Sequence, residues 1–451
     1  MAPSAIAVLT IFIFTCAGLM ALVFCKPSIT LGGKKLSIFW LAPLVGALSL
    51  IVSGLITPAE VVSGLTGAGD VNPVKILLLF FSMTMMSVYL DEIGFFRLLA
   101  VKVLRRAGHS QRKLFFLLYV LVSVLTVFTS NDIIVLTFTP FICHFAKSAR
   151  INPLPYLVSE FVAANTWSMV LIIGNPTNIY LAGNAGISFG AYVLRMLIPT
   201  VMAGFISLCV LYLLFRKQLT LPLDPKEESV PRIDTPTEVI GLLHLGGCIL
   251  LLSVASFLNL PLWAITCCFF LSLMVFTLAI SFFRRRALFL IARCIIRAPW
   301  DLAPFVLSMF VLVLALDKYG LTASLGHLLG RPTTEAGTVL AFGASSFLAS
   351  NILNNIPMSV LFSSVIAHMQ GGALAVPALF ATVIGSNLGA FFTPTGALAG
   401  IMWTSQLHDH GVTFSFKTFV RYGTAVAIPS LAAALLGLLL MVATAPPAVG
   451  L

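Results

Sequence analysis

Four short polar segments interrupt long apolar runs of this sequence. They are SND at 130–132, GNPTN at 174–178, SNILNN at 350–355 and SNLGAFFTPTG at 386–396. Proline and glycine release backbone groups from helical hydrogen bonding, while asparagine, serine and threonine donate and accept hydrogen bonds. A broken helix also presents the partial charges of its two ends. The combination suits a small neutral solute or a small anion, with a cation beside it.

The side chains that we expect to contact a solute come from all four segments. Arg and Lys are absent from them, so a highly charged anion would find no compensating side chain there. One polar interruption can serve only to satisfy freed backbone groups, but four in matching places favour a binding site. The predicted solute-binding residues are Ser130, Asn131, Asn175, Thr177, Asn178, Asn354, Asn355, Ser386, Asn387, Thr393 and Thr395.

Two carboxylates are candidates for coupling transport to an ion. Asp132 is the only carboxylate in the four segments. A charge within the membrane costs about 2.5–3.5 kcal/mol on insertion scales, so such residues usually mark ion paths. The alternative is that Asp132 caps the helix that follows it. Glu160 lies early in another interrupted apolar run, and it is either a proton site or a structural residue facing water.

The bulk composition shows which environment these polar groups interrupt. The 451 residues are 59% hydrophobic and 9% charged, whereas soluble proteins carry about 25% charged residues. The fold class is therefore predicted as an all-α polytopic membrane protein. The net charge of +11 is typical of cytoplasmic loops rather than of nucleic-acid binding. No nucleophile–base pair or metal-ligand set is found, so neither an enzyme nor a cofactor is expected.

The apolar runs predict about ten transmembrane helices, because a helix crosses the hydrocarbon in about 20 residues. The basic residues Lys26, Lys34 and Lys35 follow the first run and place the N-terminus outside; continuing this alternation also places the C-terminus outside. The location predicted is the inner (plasma) membrane. The candidate crossings lie near 5–25, 37–57, 73–90, 153–183, 191–215, 238–257, 263–282, 302–317, 374–404 and 420–443.

Two further apolar stretches, 114–146 and 336–370, are predicted to be re-entrant hairpins. Basic residues flank the first stretch on both sides, so both flanks belong on one side of the membrane. Its polar break divides it into pieces of about 16 and 14 residues, which do not comfortably cross about 30 Å. Non-helical backbone at that depth is tolerated only inside protein or beside a cavity.

The polar breaks recur at similar offsets and predict an inverted repeat. Asn355 follows Asn131 by 355 − 131 = 224 residues, and Pro394 follows Pro176 by 394 − 176 = 218 residues. The predicted sides of entry are opposite in the two halves. Such repeats place the site of a secondary transporter near the midplane, on broken helices. The predicted division is a first repeat at 1–215, a cytoplasmic linker at 216–237 and a second repeat at 238–451.

Five motifs together resemble the arsenite/antimonite permease family of the ion transporter superfamily. The resemblance implies proton-coupled export of arsenite or antimonite, sometimes with a separate ATPase subunit, and often a homodimer with an elevator-like movement. The motifs are YLDEIGFF (89–96), SNDIIVLTFTPFI (130–142), RAPWDLAPFVLSMFVLVLAL (297–316), LASNILNNIPMSVL (348–361) and VIGSNLGAFFTPTGALAGIMW (383–403).

Two departures from that family keep other substrates open. Asn387 and Phe391 or Phe392 stand where arsenite permeases usually carry an Asp and then a Lys, and GNPTN looks more like silicic-acid and anion relatives. The prediction is a secondary active transporter in the lipid bilayer, with an arsenite-like solute and H+ or Na+ as the coupling ion. The alternatives are a sodium/proton antiporter or a small-anion carrier of carboxylate or silicate type, and then a channel.

Overall fold

The all-helical membrane fold predicted from the sequence is confirmed. One short antiparallel β-hairpin, with strands β1 (Ser28–Leu31) and β2 (Lys34–Ser37), is an addition that the sequence did not predict. The computed structural model describes residues 2–25, 28–31, 34–67, 72–223, 233–284, 287–369 and 372–444.

The first half of the chain contains ten α-helices, and a 3-10 turn (Ile172–Gly174) interrupts the region between the eighth and the ninth. They are α1 (Pro3–Cys25), α2 (Leu41–Val52), α3 (Pro58–Thr66), α4 (Pro73–Glu92), α5 (Phe95–Ala107), α6 (Gln111–Phe128), α7 (Asn131–Ser148), α8 (Leu154–Trp167), α9 (Pro176–Asn184) and α10 (Phe189–Phe215).

Within the described residues, the second half also contains ten α-helices, which continue the numbering. Short 3-10 turns precede two of them, at Gln218–Thr220 and Gly372–Leu374. The helices are α11 (Thr235–Val254), α12 (Leu262–Arg284), α13 (Ala287–Arg297), α14 (Leu302–Lys318), α15 (Leu321–Leu329), α16 (Glu335–Leu353), α17 (Asn355–Ala367), α18 (Ala375–Gly389), α19 (Leu398–Asp409) and α20 (Phe416–Thr444).

The two halves repeat both their order of elements and their packing. The pair α6 and α8 is matched by α16 and α18, and the pair α8 and α10 by α18 and α20. Other contacts cross between the halves: α2 packs on α14 and α12 on α4, while α7 packs on α19 and α9 on α17. The helices that follow the polar breaks therefore meet at the centre of the molecule.

Ten helices are long and apolar enough to cross a membrane within the described residues, but they are not the ten that the sequence predicted. The predicted crossing at 37–57 contains α2, which has only 12 residues. The predicted crossings at 153–183 and 374–404 are each broken into two helices, α8 with α9 and α18 with α19. Their places in the count are taken by α6 and α16.

The predicted lengths of the hairpin arms were wrong. The arms α6 and α7 each have 18 residues, and α16 and α17 have 19 and 13. A helix of 18 residues is about 27 Å long, close to the thickness of the hydrocarbon. Arm length therefore does not separate a re-entrant hairpin from two crossings. Re-entrancy remains a prediction that rests on the flanking charges.

The predicted cytoplasmic linker begins in contact with the first half. The Nε2 of Gln111 donates a hydrogen bond of 3.1 Å to the carbonyl of Pro222, and the backbone N–H of Leu223 donates to His109 at 3.1 Å. The start of the linker is thus fastened to the beginning of α6. Residues 224–232 of the linker lie outside the described residues, and the division of the chain into two repeats remains a prediction.

Small residues bring the second hairpin close to the second broken span. A Cβ atom at Gly385 would overlap Ser346, and one at Gly389 would overlap Ser350. Both pairs are spaced four residues apart, so they lie on facing stripes of α18 and α16. Contacts between small residues let two membrane helices approach closely. This approach places the tip at Asn354 beside the break between α18 and α19.

Candidate functional site

A cluster of buried amides joins the broken spans of the two halves. The side-chain oxygen of Asn387 accepts hydrogen bonds from the Oγ of Ser168 at 3.0 Å and the Nδ2 of Asn175 at 2.8 Å. The Nδ2 of Asn387 donates to the Oδ1 of Asn178 at 2.8 Å. All four side chains are at most 1% exposed. We call these residues the asparagine cluster.

The break between α8 and α9 is satisfied by its own asparagines. The Nδ2 of Asn178 donates to the carbonyls of Ser168 at 2.8 Å and Leu171 at 3.3 Å, which a continuous helix would have used. Asn175 caps α9 through the backbone N–H of Thr177 at 3.1 Å. GNPTN therefore both stabilises a broken helix and presents amide groups to the other half.

The first hairpin tip leaves one oxygen unpaired. The Nδ2 of Asn131 donates to the Oδ1 of Asn165 at 3.1 Å, but the Oδ1 of Asn131 is buried without a partner in the described structure. Ser130 caps α7 by accepting from the backbone N–H of Ile133 at 3.4 Å. The capping alternative for Asp132 is therefore wrong. Asp132 is the second residue of α7, and its side chain has no recorded hydrogen bond to a described residue.

The second hairpin tip is held against the last break through backbone contacts. Asn354 adopts the positive φ of 73°, a conformation that asparagine tolerates better than most residues. Its Nδ2 donates to the carbonyl of Thr395 at 3.1 Å, and the backbone N–H of Asn355 donates to the carbonyl of Gly396 at 3.1 Å. The Oδ1 of Asn355 is buried and has no partner among the described residues.

The predicted threonines of the last break form a separate group with Asn351. The Oδ1 of Asn351 accepts from the backbone N–H of Thr393 at 3.0 Å and from its Oγ1 at 2.6 Å. The hydroxyls of Thr393 and Thr395 lie 3.0 Å apart. Thr393 and Thr395 thus bind the second hairpin rather than the asparagine cluster, and Thr177 reaches the cluster only through a 3.4 Å bond to Asn178.

Three buried oxygens in the predicted segments have no partner in the described part of the chain. They are the Oδ1 atoms of Asn131 and Asn355 and the Oγ of Ser386. An unpaired buried polar atom costs about 1–3 kcal/mol, so native proteins rarely leave one without water or a ligand. Hydroxyl groups of a solute, or a water, would satisfy all three atoms. They identify where the candidate site can accept a donor.

Glu160 lies apart from the asparagine cluster. It is fully buried, and its carboxylate accepts from the Oγ1 of Thr139 and the Nε1 of Trp403, each at 3.3 Å. Thr139 comes 139 − 131 = 8 residues after Asn131, about 12 Å along α7. No cation pairs with Glu160 in the described structure. The two predicted coupling residues are therefore at different depths in the molecule.

Sequence reasoning missed Asn165, Ser168 and Asn351, which contact the predicted residues directly. The helix ends could have revealed the first of these. The ends of α8 and α18 differ by 389 − 167 = 222 residues, which is also the offset between Asn165 and Asn387. Alignment of the halves on Pro176 and Pro394 hides this equivalence. Ser168 and Asn351 lie on the helices just before the tip or break, where sequence alone gives no signal.

Comparison with known sequences matches this chain along most of its length. The model of a family described as CitMHS, citrate transporter, matches residues 19–385. An arsenical pump membrane protein of Escherichia coli (strain K12) is 27% identical over 418 residues, covering 88% of this chain and 92% of the relative. A putative arsenical pump membrane protein of Bacillus subtilis (strain 168) is 26% identical over 415 residues, covering 85% and 90%.

Solved structures of two transporters share the fold. The Alcanivorax borkumensis YdaH transporter has a TM-score of 0.55 at 12% identity, with 98% of each chain covered. Neisseria gonorrhoeae MtrF, described with a class of antimetabolite efflux pumps, has a TM-score of 0.50 at 11% identity, covering 97% of this chain and 95% of that chain. At these identities the likeness concerns the fold alone.

Proposed function

The chain belongs to the citrate transporter family, CitMHS, and we propose that it exports arsenite, antimonite or a similar small metalloid solute in exchange for protons. A multi-pass membrane transporter of the citrate and arsenical-pump type is what the family and its relatives support. The solute, the coupling ion and the direction of transport are the proposal.

The observation that carries the proposal is a buried site of amides and hydroxyls without a basic side chain. Asn387 connects three groups of the first half, and unpaired oxygens remain at Asn131 and Asn355. Arsenite is the uncharged As(OH)3 at neutral pH, so it requires hydrogen-bond partners rather than a cationic clamp. The amides can both donate to and accept from its hydroxyls.

Coupling is assigned first to Asp132. Its carboxylate is buried at the N-terminus of α7, one residue from an unpaired oxygen of the site. Binding and release of a proton there would change the charge of the tip as the site moves between the two sides of the membrane. Glu160 is the second candidate, because it is a buried carboxylate held only by neutral donors in the described structure.

A carrier of small anions is the second candidate, favoured by the family description. A tricarboxylate would need compensating cations, and the four polar segments contain no Arg or Lys. This absence places the neutral solute ahead of the anion. A sodium/proton antiporter would instead use the same carboxylates without a metalloid. A channel would pass solute without counterflow.

Everted membrane vesicles test the proposal. An inside-acid gradient should drive uptake of arsenite or antimonite, and a protonophore should abolish it, because outward proton movement would power inward transport. Cells lacking the protein supply the control vesicles. Uptake that follows citrate or Na+ but not metalloid would overturn the substrate assignment. Absence of trans-stimulated counterflow would make the protein a channel.

A further inference from the structure

A cavity of about 480 Å³ lies between the first broken span and the helices beside it. One wall is formed by Ile179 and Gly183 of α9, and another by Lys75 and Ile76 near the start of α4. The connection between α11 and α12, with Trp263, completes it. This volume is within the range of small-molecule sites in proteins, roughly 300–1,000 Å³.

The cavity extends from the predicted outer surface towards the asparagine cluster. Lys75 is the third residue of α4, at the end that the loop charges place outside. Gly183 is near the end of α9, whereas Ile179 directly follows Asn178 of the cluster. The cavity therefore spans about one turn of α9, from its outer end to the level of the break.

A second, smaller cavity continues the first inward. Its volume is about 20 Å³, enough for roughly one water molecule. It is lined by Pro176, which begins α9, and by Ile356, which follows Asn355 at the second hairpin tip. Ile76 lines both cavities. One side chain thus stands between the wide outer cavity and the void beside the two site segments.

We infer that the larger cavity is the outer vestibule of the solute path and that Ile76 is its gate. The inference rests on the proposed function and adds the route by which the solute leaves. The vestibule is lined mainly by aliphatic side chains and Trp263, so a solute rich in hydroxyl groups finds few partners there. Weak retention at the outer end favours release, while the amides further in provide binding.

The chemistry of the vestibule mouth fits the same direction of movement. The Nζ of Lys75 lies 5.9 Å from the centre of the Trp263 ring, within the range of a cation–π contact. This contact joins α4 to α12 across the mouth. A cation there does not attract a neutral solute back into the cavity, whereas it would retain an anion.

Cysteine accessibility tests the vestibule without requiring transport. In a background in which all eight cysteines are replaced, Gly183→Cys should react with a membrane-impermeant maleimide added outside intact cells. Ala182→Cys is the matched control, because Ala182 is fully buried beside it. Reaction of both, or of neither, would overturn the vestibule. This result does not depend on which solute is transported, so it remains informative if metalloid export fails.

Side-chain size at Ile76 tests the gate. Ile76→Trp should lower exchange of the transported solute at least tenfold, because the indole would fill the small inner cavity. Ile76→Ala should raise passive exchange severalfold. Leu78→Trp is the matched control on the same helix, since Leu78 is 42% exposed and lines neither cavity. Wild-type exchange in both Ile76 variants, each monodisperse in detergent, would remove Ile76 as the gate.

Discussion

The two hairpin tips share an asparagine but differ in the residue that follows it. Asn131 and Asn355 each begin a helix, and each leaves its side-chain oxygen unpaired in the described structure. The same offset of 224 aligns Asp132 with Ile356, since 132 + 224 = 356. One tip therefore carries a buried carboxylate, while the other carries an apolar residue that lines the small inner cavity.

The broken spans differ in the same way. Asn165 bonds within its own half, to Asn131 and to the carbonyl of Phe161, whereas Asn387 bonds to three residues of the other half. The offset of 222 aligns Glu160 with Thr382, since 160 + 222 = 382. Both buried carboxylates therefore lie in the first half. The repeat supplies a common framework, and we infer that coupling belongs to the first half.

At their surfaces the two halves are joined by a second pair of unlike contacts. In one, Arg297 of α13 binds both Asp91 and Glu92 at the end of α4, at 2.7 and 2.6 Å. In the other, Glu60 of α3 binds Lys318 at the end of α14, at 2.7 Å. The acidic partners in the first contact are 9% exposed, but Glu60 is 42% exposed. Equivalent elements thus make contacts of unequal strength.

Labelling of the hairpin flanks could break the comparison altogether. Single cysteines replacing Lys113 and Lys147 should both react from the cytoplasm, while those replacing Arg331 and Ala367 should both react from outside. The basic flanks of the first hairpin are the physical reason. The result is all-or-none and is read by sided maleimide labelling. Reaction of Lys113→Cys and Lys147→Cys from opposite faces would make α6 and α7 two crossings.

Removing the charge at the first tip should abolish accumulation while exchange survives. Asp132→Asn keeps the shape of the side chain but cannot release a proton, so uptake in everted vesicles should stop at equilibration. Ile356→Leu, at the equivalent place in the other tip, should still accumulate solute. Accumulation and pH dependence equal to wild type in Asp132→Asn would transfer the coupling role to Glu160.

Loss of the amide that joins the halves should reduce transport more than loss of its counterpart. Asn387→Ala leaves the groups of Ser168, Asn175 and Asn178 without that partner, at about 1–3 kcal/mol for a buried polar group. We expect initial rates about 10–100-fold lower, and a smaller loss for Asn165→Ala. Expression and detergent stability serve as controls. Equal losses in the two variants would contradict the unequal roles of the broken spans.

Arg297→Ala should destabilise the protein more than Lys318→Ala does. Without Arg297, the neighbouring Asp91 and Glu92 face each other with most of their surface buried, at a cost of about 1–3 kcal/mol or more. Lys318 and Glu60 are both accessible to solvent, which weakens their attraction. Thermal unfolding in detergent measures both variants. A lower midpoint for Lys318→Ala than for Arg297→Ala would reverse the predicted order.

The smallest expected effect is the acid dependence of the exposed pair. Hydrogen bonds from Lys318 and then from Thr57 lower the pKa of Glu60 from 4.5 to about 2. Because the folded pKa is the lower one, this stabilisation is complete above the unfolded pKa and disappears as the pH falls towards 2. The small difference in unfolding midpoint between wild type and Glu60→Gln should therefore vanish at low pH. A difference that grows on acidification would contradict this assignment.

Much of the fold followed from patterns that act locally. Long apolar runs predicted the membrane helices, and the helices begin at Asn131, Pro176 and Asn355 because amide or hydroxyl caps precede them. The sequence did not predict the lengths of the hairpin arms. Residues 111–113 and 147–148 were taken as polar flanks, but they continue α6 and α7, since a helix can carry charged side chains at its ends.

The sequence by itself determined the chemical inventory of the site: amides, hydroxyls and one carboxylate in four breaks, without a basic side chain. It did not determine the partners. Asn387 meets Asn175 across 212 residues, and Glu160 meets Trp403 across 243, because crossed packing of the halves brings distant helices together. Tertiary structure alone decided that Asn131 joins Asn165 while Asn355 faces Gly396. Hydrogen bonds extend only about 3 Å, so equivalent residues acquire different partners when the helices around them differ.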